Sequence, residues 1–217
     1  MDKEGTQSKN QALYGAKSLE YVLIQLGMEK EKDEKVMEWA AEMSLNDGLE
    51  CNIVALTNKL TNKMNKHFSD QYSVKLYTDL DDTKMYKELV DLTLQKTEPS
   101  KMKKKIDQLN KLNVIHEKCS LDHLKEGDIG IGVFVNALTL TLRQILNPLE
   151  YLFHYKNQGK LSQVNHYMMI KKEKHGIYVY DPHCHDYKSY QLSNNQVTTD
   201  ECYLFSGIAV IVSKEGV

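Results

Sequence analysis

The sequence predicts an α+β fold in which helices come first and an antiparallel sheet follows. In the earlier part of the chain apolar residues recur at helical spacing, as in the stripe formed by Leu19, Val22, Leu23 and Leu26. The later part has short β-branched and aromatic runs separated by polar turns, as expected of strands. Because helices and strands are mostly segregated along the chain, the pattern is typical of an α+β domain.

The helical part is predicted to begin with a helix over residues 14–26, which Gly27 ends. The apolar stripe of this helix predicts that it lies buried at the centre of the domain. Further helices are predicted at 33–43, 52–65, 79–94 and 101–112, with a strand at 72–77 and a turn at 46–48. Ser120 is expected to cap a short helix that ends at Gly127.

The predicted sheet centres on residues 129–136, IGIGVFVN, which form the most apolar strand of the chain. A β-hairpin follows, with strands at 165–171 and 177–180 and a polar turn between them. Asp181-Pro182 ends the hairpin because proline cannot donate to a strand ladder. Strands at 187–192 and 203–212 complete the sheet, whereas Pro148 argues against one continuous helix over 142–158.

Composition limits the class of protein. The 217 residues suit one domain with a substantial core, and the formal net charge of −2 argues against a general nucleic-acid binder. No apolar run reaches about 18 residues, so no membrane span is expected. The polar N-terminus does not resemble a signal peptide, and the four cysteines lack CxxC spacing, which indicates reduced thiols. We therefore expect a cytoplasmic protein with a flexible segment at 1–10 and a single domain at 11–217.

The hairpin carries the candidate catalytic chemistry. His166 lies near the start of one strand and Asp181 near the end of the next, and adjacent strands are about 4.8 Å apart. A carboxylate beside an imidazole fixes its tautomer and stabilises its charged form, which is the base-and-orienter half of a catalytic triad. The alternative is that both residues are ordinary polar residues at the rim of the sheet.

Several segments resemble one branch of the papain-like enzymes. The first helix, YGAKSLEYVLIQLG, resembles that of the bacteriocin-leader (double-glycine) peptidase family and its eukaryotic relatives, the guanylyl-cyclase-domain-containing proteins. The segment SLDHLKEGDIGIGVFVN is similar to a helix, glycine, strand and Val-Asn segment of the eukaryotic branch. His166-Tyr167 and Asp181-Pro182 match the family's His-Tyr and Asp-Pro. The resemblance covers most of residues 11–182 and implies a papain-like fold with N-terminal helices packed on an antiparallel sheet.

The chain departs from this family at the nucleophile. Tyr14, followed by Gly15, occupies the position of the family's cysteine, and a phenol with a pKa near 10 does not readily replace a thiol near 8.5. The degenerate domain of haemolysin-type exporters also has Tyr-Gly here and is understood to bind its substrate without cleaving it. The resemblance therefore implies a pseudopeptidase that binds a peptide or protein segment. Gln11, or Gln7, resembles the oxyanion-hole glutamine of papain-like enzymes, although neither has the usual spacing.

Cys51 is the alternative nucleophile. It follows Gly48 at the start of the third predicted helix, where the positive end of the helix could lower its pKa. With His166 and Asp181 it would form the site of an active cysteine protease, deamidase or acyltransferase. A buried structural cysteine remains the other interpretation of this residue.

No cofactor or metal is expected. His183, Cys184, His185 and Asp186 form a dense group of potential ligands, but no second ligand pair stands at a familiar spacing, so a turn after Asp-Pro is favoured. The chain has no G-x-G-x-x-G or P-loop motif for nucleotide binding.

Overall fold

A computed structural model describes residues 10–45, 50–68, 71–78, 83–137, 165–182 and 188–215. Its helices are α1 (Asn10–Gln25), α2 (Asp33–Met43), α3 (Ile53–Phe68), α4 (Thr83–Gln95) and α5 (Met102–Leu109). Its strands are β1 (Ser44–Leu45), β2 (Glu50–Cys51), β3 (Tyr72–Tyr77), β4 (Asn113–Ile115), β5 (Ile129–Asn136), β6 (Asn165–Glu173), β7 (Gly176–Tyr180), β8 (Ser189–Leu192), β9 (Gln196–Thr198) and β10 (Cys202–Lys214). The predictions made for residues 1–9, 46–48, 79–82, 142–158 and 183–186 lie outside the described residues.

The strands form one large sheet with the order β4-β3-β10-β5-β6-β7-β8. Strand β9 pairs with the first three residues of β10. The pairings are antiparallel except that β3 and β4 run parallel. Strands β1 and β2 make a separate antiparallel pair. This combination of helices with a mostly antiparallel sheet confirms the predicted α+β class.

Most predicted elements are present, with differences at their ends. Helix α2 and strands β3 and β5 begin and end where the sequence predicts. Helix α1 begins four residues earlier than predicted, at Asn10, and α3 begins at Ile53 and continues to Phe68. The short helix after Ser120 is a single 3-10 turn, and the Ser120 side chain makes no cap hydrogen bond. Strands β1, β2, β4 and β9 are not predicted by the sequence because each has only two or three residues.

Gly27 ends α1 as predicted. Its φ of +91° lies in the left-handed region, which is unfavourable for residues that carry a Cβ atom. The Gly27 amide donates to the Ile24 carbonyl at 2.9 Å, and the Met28 amide donates to the Leu23 carbonyl at 3.0 Å. These two bonds form a Schellman-type termination, which satisfies carbonyls that the helix end would otherwise leave without partners.

The two faces of the sheet pack into two separate apolar clusters. Val133 and Tyr167 face the helices, where they join the cluster that contains the buried stripe of α1. Phe134 and Met168 face the opposite side and pack with the other cluster. Successive residues of these strands thus point to different clusters, as expected for strands that are buried on both faces. Helix α1 is therefore central and buried, as its apolar stripe predicts.

Glu20 is an exception in this core, because its side chain is buried and its Oε1 atom has no hydrogen-bond partner among the described residues. Burial raises its pKa, and the nearby Lys30 only partly opposes the rise. A raised pKa means that the folded state binds the proton more tightly than the unfolded state, so stability falls as pH rises through the folded pKa.

We expect Glu20→Gln to increase the free energy of unfolding at pH 7 and to give no increase near pH 4, because the amide is neutral at both values. Urea denaturation of both proteins at the two pH values measures the difference. Glu34→Gln, at an exposed position of α2, is the control. An equal effect of Glu20→Gln at pH 4 and pH 7 would show that burial of the charge is not its cause.

Among the described residues, no helix is both long enough and apolar enough to cross a membrane.

Candidate functional site

The hairpin β6–β7 brings His166 and Asp181 together. The register pairs Met169 with Tyr180, so Asp181 lies diagonally across the hairpin from His166. His166 Nε2 and Asp181 Oδ1 are 2.6 Å apart, and both side chains are buried. A carboxylate only accepts hydrogen bonds, so it holds the imidazole with its proton on Nε2. Among the described residues nothing hydrogen-bonds to Nδ1, which is therefore the nitrogen with a lone pair available.

The His166 ring lies between two tyrosines. Tyr14 of α1 meets it edge-on, with ring centroids 4.8 Å apart and an interplanar angle of 78°. Tyr203 of β10 stacks on it, with centroids 5.1 Å apart and an angle of 24°. Both arrangements are favourable for aromatic rings. Tyr14 therefore places a phenol ring in direct contact with His166.

Tyr203 is the residue of this site that the sequence does not reveal. It belongs to a predicted strand, but its contact with His166 depends on β10 pairing with β5. The Tyr203 hydroxyl donates to Glu201 Oε2 at 3.0 Å. Burial is the main cause that raises the Tyr203 pKa, and the hydrogen bond to Glu201 adds to it. Tyr203 is therefore a neutral aromatic wall of the site.

Two hydrogen bonds fix the strand that carries His166 against the helical layer. Ser18 Oγ in α1 donates to the Tyr167 carbonyl at 2.9 Å. Tyr167 Oη donates to the Cys51 carbonyl at 2.7 Å. Both bonds are buried, where a missing partner costs about 1–3 kcal/mol. They hold α1 and β2 in register with β6, which sets the position of Tyr14 over His166.

Cys51 occupies a different environment from the one that the sequence predicts. It belongs to β2, and the N-cap of α3 is Asn52, whose Oδ1 accepts hydrogen bonds from the amides of Val54 and Ala55 at 3.0 and 3.3 Å. The Cys51 thiol is buried against Gly15, and burial raises its pKa. The expectation that the helix end lowers this pKa is wrong, because desolvation outweighs any dipole effect. The structure thus gives no support to a Cys51 thiolate.

The remaining predicted site residues lie on α1. Gly15 is buried beneath Tyr14. Gln11 lies in the first turn of the helix, and its side chain is outside the described residues. Because α1 begins at Asn10, Tyr14 is in the second turn, where the influence of the helix dipole is weak.

Gly15 is expected to tolerate no side chain. A Cβ atom built on Gly15 would lie 2.4 Å from Cys51 Sγ and 3.1 Å from Cys51 Cβ. Overpacking of this kind costs about 1–3 kcal/mol, more than the roughly 1 kcal/mol that alanine gains over glycine in a helix. We therefore expect Gly15→Ala to lower the free energy of unfolding, and chemical denaturation measures the loss.

A double-mutant cycle identifies the cause of that loss. The Cys51→Ala change removes the sulfur, so the pair Gly15→Ala with Cys51→Ala should be more stable than the sum of the two single changes predicts. Strict additivity of the two changes would contradict the contact.

Two further cysteines, Cys119 and Cys202, are among the described residues. Cys119 is buried, and burial together with the negative charge of Asp128 raises the pKa of its thiol to about 12. Cys202 is partly buried, and its sulfur accepts a hydrogen bond from Gln196. Among the described residues no group of three or more His, Cys, Asp or Glu side chains is placed to hold a metal ion, and Cys184 lies outside them.

Comparison of the chain with models of protein families, with curated proteins and with solved structures found no match.

Proposed function

We propose that the chain is a papain-like pseudopeptidase that binds an extended peptide or protein segment beside the His166–Asp181 pair without cleaving it. The observation that carries the proposal is the ring contact of Tyr14 with His166, whose Nε2 is held by Asp181. A base and its orienting carboxylate are present, and the third position is a tyrosine in place of a nucleophile.

The chemistry of Tyr14 supports binding in place of cleavage. Nucleophilic catalysis needs an activated group beside the base, and a phenol, with a reference pKa near 10, is a poorer candidate for that group than a thiol. The tyrosine ring instead offers a flat surface with a polar tip, a combination that is common at binding interfaces.

A cavity of about 450 Å³ beside the site supports peptide binding. Leu13 and Pro182 line it, and they are the chain neighbours of Tyr14 and Asp181. Met37 also lines it, and its side chain is 55% exposed. The volume is within the range of roughly 300–1,000 Å³ that is typical of ligand pockets. The apolar residues of the lining suit an anchoring side chain of a bound peptide. Charged residues share the lining, and one of them, Glu20, can accept a hydrogen bond from the peptide.

Selection from a random peptide library tests this function. We expect the wild-type protein to enrich a set of related peptides and to bind them in a fluorescence anisotropy titration. Met37→Glu should weaken binding by about tenfold, because it replaces one apolar contact of the cavity wall with a charge.

Ile106→Glu is the matched control, because Ile106 is also an exposed large apolar residue but lies on α5, outside the cavity. The proposal fails if no peptide is enriched. It also fails if the two substitutions weaken binding equally, since the cavity would then not be the binding site.

A further inference from the structure

A second cavity, of about 280 Å³, lies between α3 and α5, and lysines dominate its polar lining. Lys59, Lys63 and Lys66 reach it from α3, and Lys105 reaches it from α5. The three residues of α3 are spaced four and three apart, which places them on one face of that helix. Glu42 is the one acidic residue among the described residues that line the cavity.

The four lysines fall into two groups. Lys59 forms an ion pair with Glu42, and Lys63 forms one with Glu31 at 2.7 Å. Among the described residues neither Lys66 nor Lys105 has a hydrogen-bond or ion-pair partner. The cavity therefore holds, among the described residues, two ammonium groups that form no ion pair.

Lys105 is the less solvated of these two. Its side chain is half-buried, and burial lowers its pKa, while the charge of Lys59 acts in the same direction. Glu42 opposes this shift but is already paired with Lys59. A half-buried cation without a partner is unfavourable, and an anion in the cavity would remove that cost.

Lys59 and Lys63 are also held in position before any ligand binds. Lys63 Nζ lies 4.6 Å from the centre of the Trp39 ring, and Lys59 Nζ lies 5.6 Å from it. Trp39 is fully buried, so it is a rigid support for both cation–π contacts. Less side-chain entropy is then lost on binding.

We propose that this cavity binds the phosphoryl group of a small phosphorylated molecule. Several ammonium groups that converge on one cavity suit a doubly charged, compact anion, and lysine binds phosphate as a point charge. Asn58 and Asn62 line the same cavity and supply amide groups for further hydrogen bonds. The small volume favours a small ligand over a macromolecule. This site does not depend on the proposed peptide-binding function.

The test titrates the full chain with inorganic phosphate and with glycerol 3-phosphate at constant ionic strength, followed by NMR or calorimetry. We expect saturable binding that Lys105→Met weakens by about tenfold or more, because one charge-assisted contact is lost. Lys66→Met, at an exposed position, should weaken binding in the same direction.

Lys104→Met is the matched control, because Lys104 is exposed on the same helix and does not line the cavity. Equal weakening by Lys104→Met and Lys105→Met would overturn the proposal, since it indicates general charge attraction. The absence of saturable binding of either ligand would also overturn it. Sedimentation with vesicles that contain phosphatidic acid tests whether the phosphoryl group belongs to a lipid. If Lys105→Met weakens binding to the vesicles but does not affect binding of the two soluble phosphates, the ligand is not a small soluble molecule.

Discussion

Replacing Tyr14 with cysteine is expected to create a thiol that reacts with iodoacetamide at neutral pH at least about tenfold faster than an ordinary exposed cysteine. The new sulfur would take the place of the base of the Tyr14 ring, which now lies edge-on to His166, whose Nε2 is held by Asp181. An imidazole beside a thiol favours the thiolate, which is the reactive form. The helix end contributes little, because Tyr14 is in the second turn of α1.

A second variant distinguishes activation of the new thiol by His166 from mere accessibility of that thiol to the reagent. In the double variant Tyr14→Cys with His166→Ala, the labelling rate should return to that of an ordinary thiol. Lys17→Cys, which lies three residues further along the same helix, is the control and should label at a rate that is independent of His166. If the Tyr14→Cys thiol reacts slowly, or reacts equally fast without His166, the site does not have the geometry of a base and nucleophile.

Gly130→Ala is expected to cause the largest loss of stability, at least about 3 kcal/mol. A Cβ atom at this position would lie 2.2 Å from the Val210 carbonyl oxygen and 2.7 Å from Ile211 Cδ1. The first of these contacts is with the backbone of the neighbouring strand, which cannot move without breaking the pairing of β5 with β10. Chemical denaturation, or loss of soluble protein, measures the effect.

A second substitution shows which contact is responsible. Ile211→Ala removes the side-chain clash but leaves the carbonyl oxygen of Val210 in place, so it should not rescue Gly130→Ala. Full rescue by Ile211→Ala would place the strain in the side chain, and a Gly130→Ala protein of wild-type stability would contradict the close approach of the strands.

The long and uniform elements were predictable from the sequence. The β5 strand is apolar at every position that carries a side chain up to Asn136, which indicates a short strand buried on both faces, and the structure gives it the predicted ends. The contact of His166 with Asp181 follows from a single local hairpin, in which chain connectivity leaves few alternatives. The start of α1 was not predictable in this way, because Asn10 and Gln11 belong to no apolar stripe.

Contacts between distant parts of the chain could not be predicted from the sequence. The position of Cys51 is set by α1 crossing β2 at Gly15, and no local pattern encodes that crossing. The stacking of Tyr203 on His166 requires β10 to lie beside β5, with an irregularity between Phe205 and Ala209. Local periodicity predicts which face of the sheet a side chain lies on. Which side chain it contacts on that face depends on the order of the strands in the sheet.

The measurement that tests the central claim most directly is the reaction of native wild-type protein with a thiol-reactive peptidase probe, followed by mass spectrometry of every cysteine. We predict that no cysteine is labelled in a manner that depends on His166, because the side chain in contact with His166 from α1 is the tyrosine Tyr14 and burial raises the pKa of the Cys51 thiol. Rapid labelling of a single cysteine, lost in the His166→Ala variant, would show instead that the protein is an active cysteine enzyme.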